Sequence, residues 1–542
     1  MKITSLVCLI TIIVLGNLIA QSSWVPDPTF GNNGITRVDF STNQNDTPND
    51  ILLLPGDKIL TAGISTNSSN GGNFIAMSQL LSNGQPDLTG FGTDGEVLLH
   101  FVLRDHANDI ERQPDGKILV VGAEAISNGV SQITPSLYRF NSDGTLDTAF
   151  ANSGKAVHRF DNTSSGEFYA VKILSDERIL VAGHSTGNIN GGTYGFGAMR
   201  FLPNGEFDLS FGTNGKARIN YGVGYHPVGC LFLADTAIVM VTVPGTAKFV
   251  LAMMDSSGNP YTSFGTNGIV ETNIDAKLNY SGGESLALTD DGKILLAGTT
   301  PNSSPTKFTV FRFLINGTID STFGTNGRTD IQFSSDDVCY DMKLDANGKI
   351  LLVGRVSVGY GMAGLARLNS DGTPDTTFAP DGKFTLNLNG NTGTHYLTSV
   401  IPLQDGNILA AGYDYASNAG DFMIVKLTQN PTGIDDPNFS QPNSFNLHQN
   451  YPNPFNPTTK ISWQSPVAGH QTLKVYDVLG NEVTTLVNEE KTAGSYEVEF
   501  SSHSDEGQNL SSGIYFYQLI VEGSKTSSGQ GFVETKKMIL LR

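Results

Sequence analysis

The chain has 542 residues, 61 of them glycine, and its 52 Asp and Glu against 33 Lys and Arg give a formal net charge of -19. That length exceeds one ordinary core unless many small sheets share a closed ring. Such an acidic surface repels phosphate backbones and anionic lipid, which argues against nucleic acid and bare membrane as partners and makes the charge an aid to solubility.

In chain order the first element is a leader. Met1 and Lys2 precede an apolar run from Leu6 to Leu15, and the small residue Ala20 stands before Gln21. This pattern predicts a secretory signal peptide over residues 1–20. No later segment approaches the roughly 20 apolar residues of a membrane helix, so the mature chain is expected to be exported and soluble, with no transmembrane helix. Cleavage removes Cys8. Cys230 and Cys339 then fall in repeats that are not neighbours, which predicts two buried free thiols rather than a disulfide.

A repeat follows. Phenylalanines at 30, 91, 150, 211, 264, 323 and 378 each open a phrase of the type DxTFGxxG, at spacings of 61, 59, 61, 53, 59 and 55 residues. Every unit also carries two apolar runs joined by a tight turn, as in "DIERQPDGKILVVG" from Asp109 to Gly122. An Asp-Gly or Asn-Gly pair between β-prone runs is the strongest short hairpin signal, because glycine accepts the positive φ of the turn. A third run, such as "SLYRF" at Ser136, and a fourth after the FGxxG phrase complete the unit. The pattern predicts an all-β chain: a seven-bladed β-propeller of four-stranded antiparallel blades over residues 21–430. The last unit has only three strands, and "GITRVDF" from Gly34 to Phe40 is expected to supply the fourth, closing the ring. "LADTAIVMVTVPG" from Leu233 to Gly245 lacks the Asp-Gly turn, so the fourth unit is expected to be the least regular.

Two architectural roles are expected of the phrase. Its phenylalanine is placed to wedge between blades, where burying the ring contributes about 1.5–3 kcal/mol. Its aspartate is placed to pair with an arginine eight residues earlier, as Arg139 with Asp147, Arg200 with Asp208, Arg312 with Asp320 and Arg367 with Asp375. Met253 and Tyr261 replace both partners together, and Gln79 with Asp87 keeps a hydrogen-bonding pair. From Trp24 to Leu427 these motifs resemble the delta-60 repeat, a resemblance that implies a bacterial secreted or surface β-propeller and supplies no catalytic residues.

Residues 431–446, rich in Pro, Asn, Asp and Ser, read as a linker. Residues 447–542 alternate apolar and polar residues between glycines, which predicts about seven short strands in a small Ig-like β-sandwich. This segment resembles the type A sorting domain of the type IX secretion system. The resemblance rests on Tyr451, Pro452, Asn453, Pro454 and Phe455, on Val475 to Gly480, on Gly513, Ile514 and Tyr515, and on Lys536 and Lys537. It implies the type IX machinery as a partner, with delivery to the medium or the outer-membrane surface.

The loops on the face opposite the tight turns differ from unit to unit, as binding surfaces on repeated scaffolds do. Their candidate ligand residues are Asp105, His106, His184, Tyr225, His226, Asp336, Asp337, His395 and Tyr396, expected mainly as solvated loop residues. No HExxH, GxSxG or phosphate-binding pattern sits in the setting it requires, so no catalytic residue is assigned. No cofactor is expected, although calcium at the acidic loops stays open. The readings are a monomeric binding or interaction module for a glycan or surface protein, an extracellular hydrolase or lyase at the propeller mouth, or a structural surface protein.

Overall fold

The computed structural model describes residues 23–541 apart from the segments 41–44, 68–71, 102–103, 126–132, 162–163, 187–193, 223–226, 234–236, 243–247, 276–285, 301–304, 358–360, 387, 389–393, 416–419, 431–445, 448, 451, 466–468, 492–493, 503–509 and 522–531. The expected signal peptide, nearly all of the linker, and Tyr225, His226 and Tyr451 lie outside the described residues. Every regular element among the described residues is a strand.

The repeats fold as four-stranded antiparallel sheets in a propeller-like array. One unit shows the logic. Ser165–Ile173 pairs with Ile179–Thr186, that strand with Tyr194–Phe201, and that strand with Lys216–Gly222. The first strands are Asn45–Leu53, Arg104–Arg112, Ser165–Ile173, Pro227–Leu233, Leu286–Leu288, Val338–Leu344 and His395–Pro402. Each packs against the next, and the last packs against the first, so the array closes on itself. The divergent fourth unit still pairs its strands in the common order, from Pro227–Leu233 through Ile269–Asp275.

Stitches hold neighbouring first strands together. The Asp50 carboxylate accepts from Ile110 N, Asp109 from Val171 N, and Asp341 from Val400 N. At the closure Thr398 Oγ1 donates to Pro48 O and Ser399 Oγ to Asp50.

Closure is completed by the N-terminal segment, which adds to the last sheet twice. Ile35–Val38 pairs with Asp421–Asn430 in the register Ile35 to Val425 through Val38 to Phe422. Ser23–Pro26 pairs with the far end of the same strand, Trp24 opposite Gln429. A shared core of Phe30, Val38, Ile51, Ile59, Leu409, Phe422 and Ile424 fills the space between the last sheet and the first.

The repeated phenylalanines are wedges, all 2 % exposed or less. Each ring lies against a glycine in the third turn of the following unit: Phe30 on Gly84, Phe91 on Gly144, Phe150 on Gly205, Phe211 on Gly258, Phe264 on Gly317 and Phe323 on Gly372. These glycines carry φ between +79° and +89°, and a Cβ there would sit 2.8–3.0 Å from the ring. Two demands, a left-handed turn and a flat neighbour, therefore fall on one residue that only glycine meets. In the last unit the third strand, Asp421–Asn430, runs on through the position of that turn, and Trp24 takes the glycine's place against Phe378. The two rings lie 5.2 Å apart, with Trp24 Nε1 donating to Phe378 O at 3.0 Å.

The arginine–aspartate pairs form, with Nε to Oδ2 distances of 2.8, 2.6, 2.8 and 2.6 Å for Arg139, Arg200, Arg312 and Arg367. Gln79 Nε2 donates to Asp87 at 2.7 Å. Each arginine also lies over the wedge ring, 4.3–4.9 Å from its centroid. A second cation, from the hairpin phrase, reaches the same carboxylate: Lys58 on Asp87, Arg178 on Asp208, Lys293 on Asp320 and Lys349 on Asp375. Burial pushes Asp208 up, but hydrogen bonds from Ser210, Arg178 and Arg200 outweigh it and hold the carboxyl well below its usual range. At the closure the pair spans the two ends of the array, Lys426 with Asp27 at 3.1 Å.

Cys230 and Cys339 are free and buried, and burial pushes both thiols well up. In the C-terminal segment Asn446–Leu447, Thr458–Ser465 and Gly494–Ser501 form one sheet. Gly469–Tyr476, Glu482–Lys491, Gly513–Val521 and Phe532–Leu540 form another. The two share a core that includes Phe455, Trp463, Val475, Tyr517 and Leu519.

Candidate functional site

The face opposite the tight turns is built by the starts of the first strands and the ends of the second strands. Most of the candidate residues there are not the solvated loop residues the sequence suggests. Asp105 and Asp337 are fully buried and bind loop backbone, accepting from Phe101 N and Phe333 N, each at 2.7 Å. Asp46 does the same for Phe40 N at 3.0 Å. These aspartates shape the crossing between units, a role that recurs because every crossing must turn the chain inward. Asp336 is exposed, and only its backbone oxygen is engaged, by Ser357 Oγ. His395 is 1 % exposed, with Nε2 2.8 Å from Leu386 O, and burial lowers its pKa.

His106 and His184 are brought together around a residue the sequence did not single out, Glu167. His106 Nδ1 lies 2.9 Å from Glu167 Oε1, Asn108 Nδ2 donates to the same oxygen at 2.8 Å, and Tyr169 OH donates to Oε2 at 3.3 Å. The Tyr169 and His184 rings stack 5.7 Å apart. Burial pushes Glu167 up, but the His106 charge and hydrogen bond, with His184 and Asn108, bring it down to about 2. Burial lowers His106, and Glu167 more than offsets this, so its pKa is raised. Below the raised His106 value the pair is carboxylate and imidazolium, and it joins two neighbouring first strands.

The pH dependence follows from those directions. The Glu167 contribution is present above the ordinary carboxyl value of 4.5 and is lost as pH falls towards about 2. The His106 contribution is present below the ordinary imidazole value of 6.5 and is lost as pH rises through its raised value. Glu167→Gln is expected to destabilise by about 3 kcal/mol near pH 5.5 and by less as the pH rises through the raised His106 value. Urea unfolding of both proteins across that range measures it, and a pH-independent difference would contradict the ion pair.

A second group lies across the last two units. Tyr340, Tyr396, Tyr413 and Tyr415 form a row with ring centroids 5.2, 5.1 and 6.5 Å apart. Tyr396 and Tyr413 face each other across paired strands, and Tyr415 is 40 % exposed. Burial raises the pKa of Tyr340 and Tyr396, and the positive charge of Arg355 opposes the shift in both. Arg355 Nε is buried and has no acceptor among the described residues. Of this row only Tyr396 stands among the candidate loop residues legible in the sequence. Tyr340 lies on the first strand of the preceding unit, Tyr413 on the second strand paired with that of Tyr396, and Tyr415 just beyond it, so unit packing and strand pairing together align the row.

In the C-terminal segment the two ends of the sorting motif meet. Phe455, 1 % exposed, donates from N to Ile539 O at 2.9 Å and accepts from Leu541 N at 3.0 Å. Asn453 Oδ1 accepts from Ile539 N at 2.9 Å, and Asn450 Nδ2 donates to Pro452 O. Both Asn453–Pro454 and Asn456–Pro457 are cis peptides. Gly480 holds φ +85° in an exposed turn, Gly513 opens a strand in which Tyr515 is buried, and Lys536 and Lys537 pair opposite Tyr517 and Phe516. No helix among the described residues is long and apolar enough to cross a membrane.

The model of the family "Domain of unknown function (DUF5122) beta-propeller" matches residues 56–89, 113–150, 174–211, 289–323 and 346–378. The model of the "Secretion system C-terminal sorting domain" matches residues 449–533. No curated protein matches the chain. Similar solved structures include PorZ, a surface component of the type IX secretion system of Porphyromonas gingivalis, 11% identical over 90% of this chain and 68% of its own, with a TM-score of 0.28. The polysaccharide lyase Uly1 is 12% identical over 70% of this chain and 89% of its own, with a TM-score of 0.40. The β-propeller domain of the trilobed protease from Pyrococcus furiosus is 10% identical over 71% of this chain and 94% of its own, with a TM-score of 0.31. The chain carries DUF5122 β-propeller repeats and a C-terminal type IX secretion sorting domain, and it is exported to the medium or to the cell surface.

Proposed function

We propose that the chain is a seven-bladed β-propeller that binds an extracellular carbohydrate polymer, delivered by a cleaved leader over residues 1–20 and an Ig-like sorting unit over residues 447–542. The observation that carries this reading is the tyrosine row. Aromatic rings offer a large, rigid apolar surface with a polar tip, suited to the C–H faces and hydroxyls of sugars. The positive charge of Arg355 beside the row favours a polymer bearing carboxylate or sulfate groups. The seven-unit count is supported by the neighbour relations of the first strands, and the Asn453–Phe455 contact with the last strand supports this element as what the export machinery reads.

Tyr415→Ala should leave the fold intact, since the side chain is exposed, and weaken binding of an acidic polysaccharide about tenfold, the equivalent of about 1.4 kcal/mol. Titration calorimetry against uronate-rich and neutral glycans measures it. Unchanged affinity in Tyr415→Ala and Arg355→Met together would sink the reading.

A second reading, a hydrolase or lyase, is favoured by the His106, Glu167, Tyr169 and His184 group. Its members bond mainly to one another, which suits a stitch between units better than a poised base. Depolymerisation of the bound glycan by the wild type, abolished in His106→Gln, would establish that reading instead.

A further inference from the structure

One place on the repeat array breaks the pattern of charges. At four of the crossings between units, a buried polar residue holds the backbone of a phenylalanine or its neighbour: Asp46 with Phe40, Asp105 with Phe101, Asp337 with Phe333, and Ser164 with Asp161 beside Phe160. The residue before the phenylalanine is His100, Arg159 or Gln332 at three of these crossings, and Asp39 at the first. Beside that first crossing the closing strand begins with Asp421. One carboxylate oxygen from each of Asp39, Asp46 and Asp421 lies within 4.8 Å of the other two.

The second observation concerns Asp46 itself. Its relative exposure is 0%, Oδ2 accepts from Phe40 N, and Oδ1 is buried with no hydrogen-bond donor. At Asp337, the equivalent position, Oδ1 instead takes the Ser334 hydroxyl at 2.6 Å. A buried carboxylate oxygen without a donor carries a desolvation cost that a cation at that oxygen would relieve. The nearby cation, Arg37, is committed to Asp414 at 2.6 Å.

We infer that Asp39, Asp46 and Asp421 form a calcium site that fastens the N-terminal strand and the first unit to the closing strand. Hard oxygen ligands at this number and spacing suit calcium, with water and backbone oxygens completing its six to eight partners.

The test uses the full exported chain freed of metal by a chelator. Calorimetric titration with calcium chloride should give one site, and saturating calcium should raise the melting temperature by about 3 °C over the chelated protein. Asp421→Asn, at a partly exposed position that should still fold, should weaken binding at least tenfold and remove most of the shift. Asp39→Asn should do the same. Equal melting temperatures with calcium and with chelator, or calcium affinity unchanged in both variants, would overturn the site. A response to magnesium without one to calcium would overturn it as well.

Discussion

Replacing Trp24 by alanine is expected to cost the propeller about 3–5 kcal/mol, a loss large enough to see as a fall of several degrees in melting temperature. The reason is position as much as size. Trp24 is 3% exposed and packs with Phe378, Leu386, Val425 and Leu427 in one core. Its indole N–H holds the Phe378 carbonyl, and truncation leaves that acceptor buried and unpaired. Everywhere else in the array the wedge phenylalanine meets a glycine turn of the unit that follows it in sequence. Here the ring meets a residue from the other end of the repeat region, so the substitution loosens the closure itself. Pro28, exposed in the following turn, provides the contrast: Pro28→Ala should be nearly neutral. A Trp24→Ala loss under 1 kcal/mol would mean that the ring is closed by the Ile35–Val38 strand alone.

Phe150→Ala should be comparably severe, at about 3–5 kcal/mol, and it carries a sharper signature in combination. The ring is fully buried among Leu119, Leu137, Phe168, Val181 and Phe201 of two adjacent units. It lies under Arg139 and against Gly205, where an added Cβ would come within 2.8 Å of it. Gly205→Ala should therefore cost energy in two ways, through strain at φ +89° and through the collision with the ring. Removing the ring relieves its share of the collision and leaves the strain and the approach to Ala151, whose own Cβ lies 2.7 Å from the added one. The double variant Phe150→Ala with Gly205→Ala should thus be less destabilised than the sum of the singles by about 1 kcal/mol. Strict additivity in a denaturation cycle would contradict the wedge geometry.

What could be read from the sequence was whatever repeats. The hairpin phrase, the FGxxG turn and the arginine–aspartate spacing each appear several times, and recurrence separated them from chance. The missing strand of the last unit was legible for the same reason: a unit lacking one strand implies a donor, and Gly34 to Phe40 had the right pattern. The second strand, Ser23–Pro26, was missed because four residues offer no period to read. The cations of the hairpin phrase carry no local sign of pairing with the aspartate, which lies about 30 residues away in sequence. Yet a signal existed. In the fourth unit, which has Met253 and Tyr261 in place of the arginine and aspartate, the lysine position is Ala237.

The candidate site was less legible, because it depends on where different units touch. Asp105, His184, Asp337 and His395 looked like polar loop residues, and their burial follows from a crossing that folds inward over the first strand. Glu167 carried no motif, and only the approach of two first strands sets it beside His106. Tyr340 and Tyr396 stand 56 residues apart and meet only when neighbouring units pack. The acidic group at Asp39, Asp46 and Asp421 joins residues from both ends of the array, which no local pattern can announce.

The closure can be tested directly with a disulfide. Val25 and Thr428 are directly opposed on antiparallel strands and only partly buried. Directly opposed residues hold their α-carbons 4.5–5.5 Å apart, within reach of a bond. The variant with Val25→Cys and Thr428→Cys should oxidise to an intramolecular disulfide in the folded state, migrate faster without reductant, and melt at a higher temperature than its reduced form. Two thiols that stay unpaired in the native protein, or that bridge only separate molecules, would contradict a ring fastened by its own N-terminal strand.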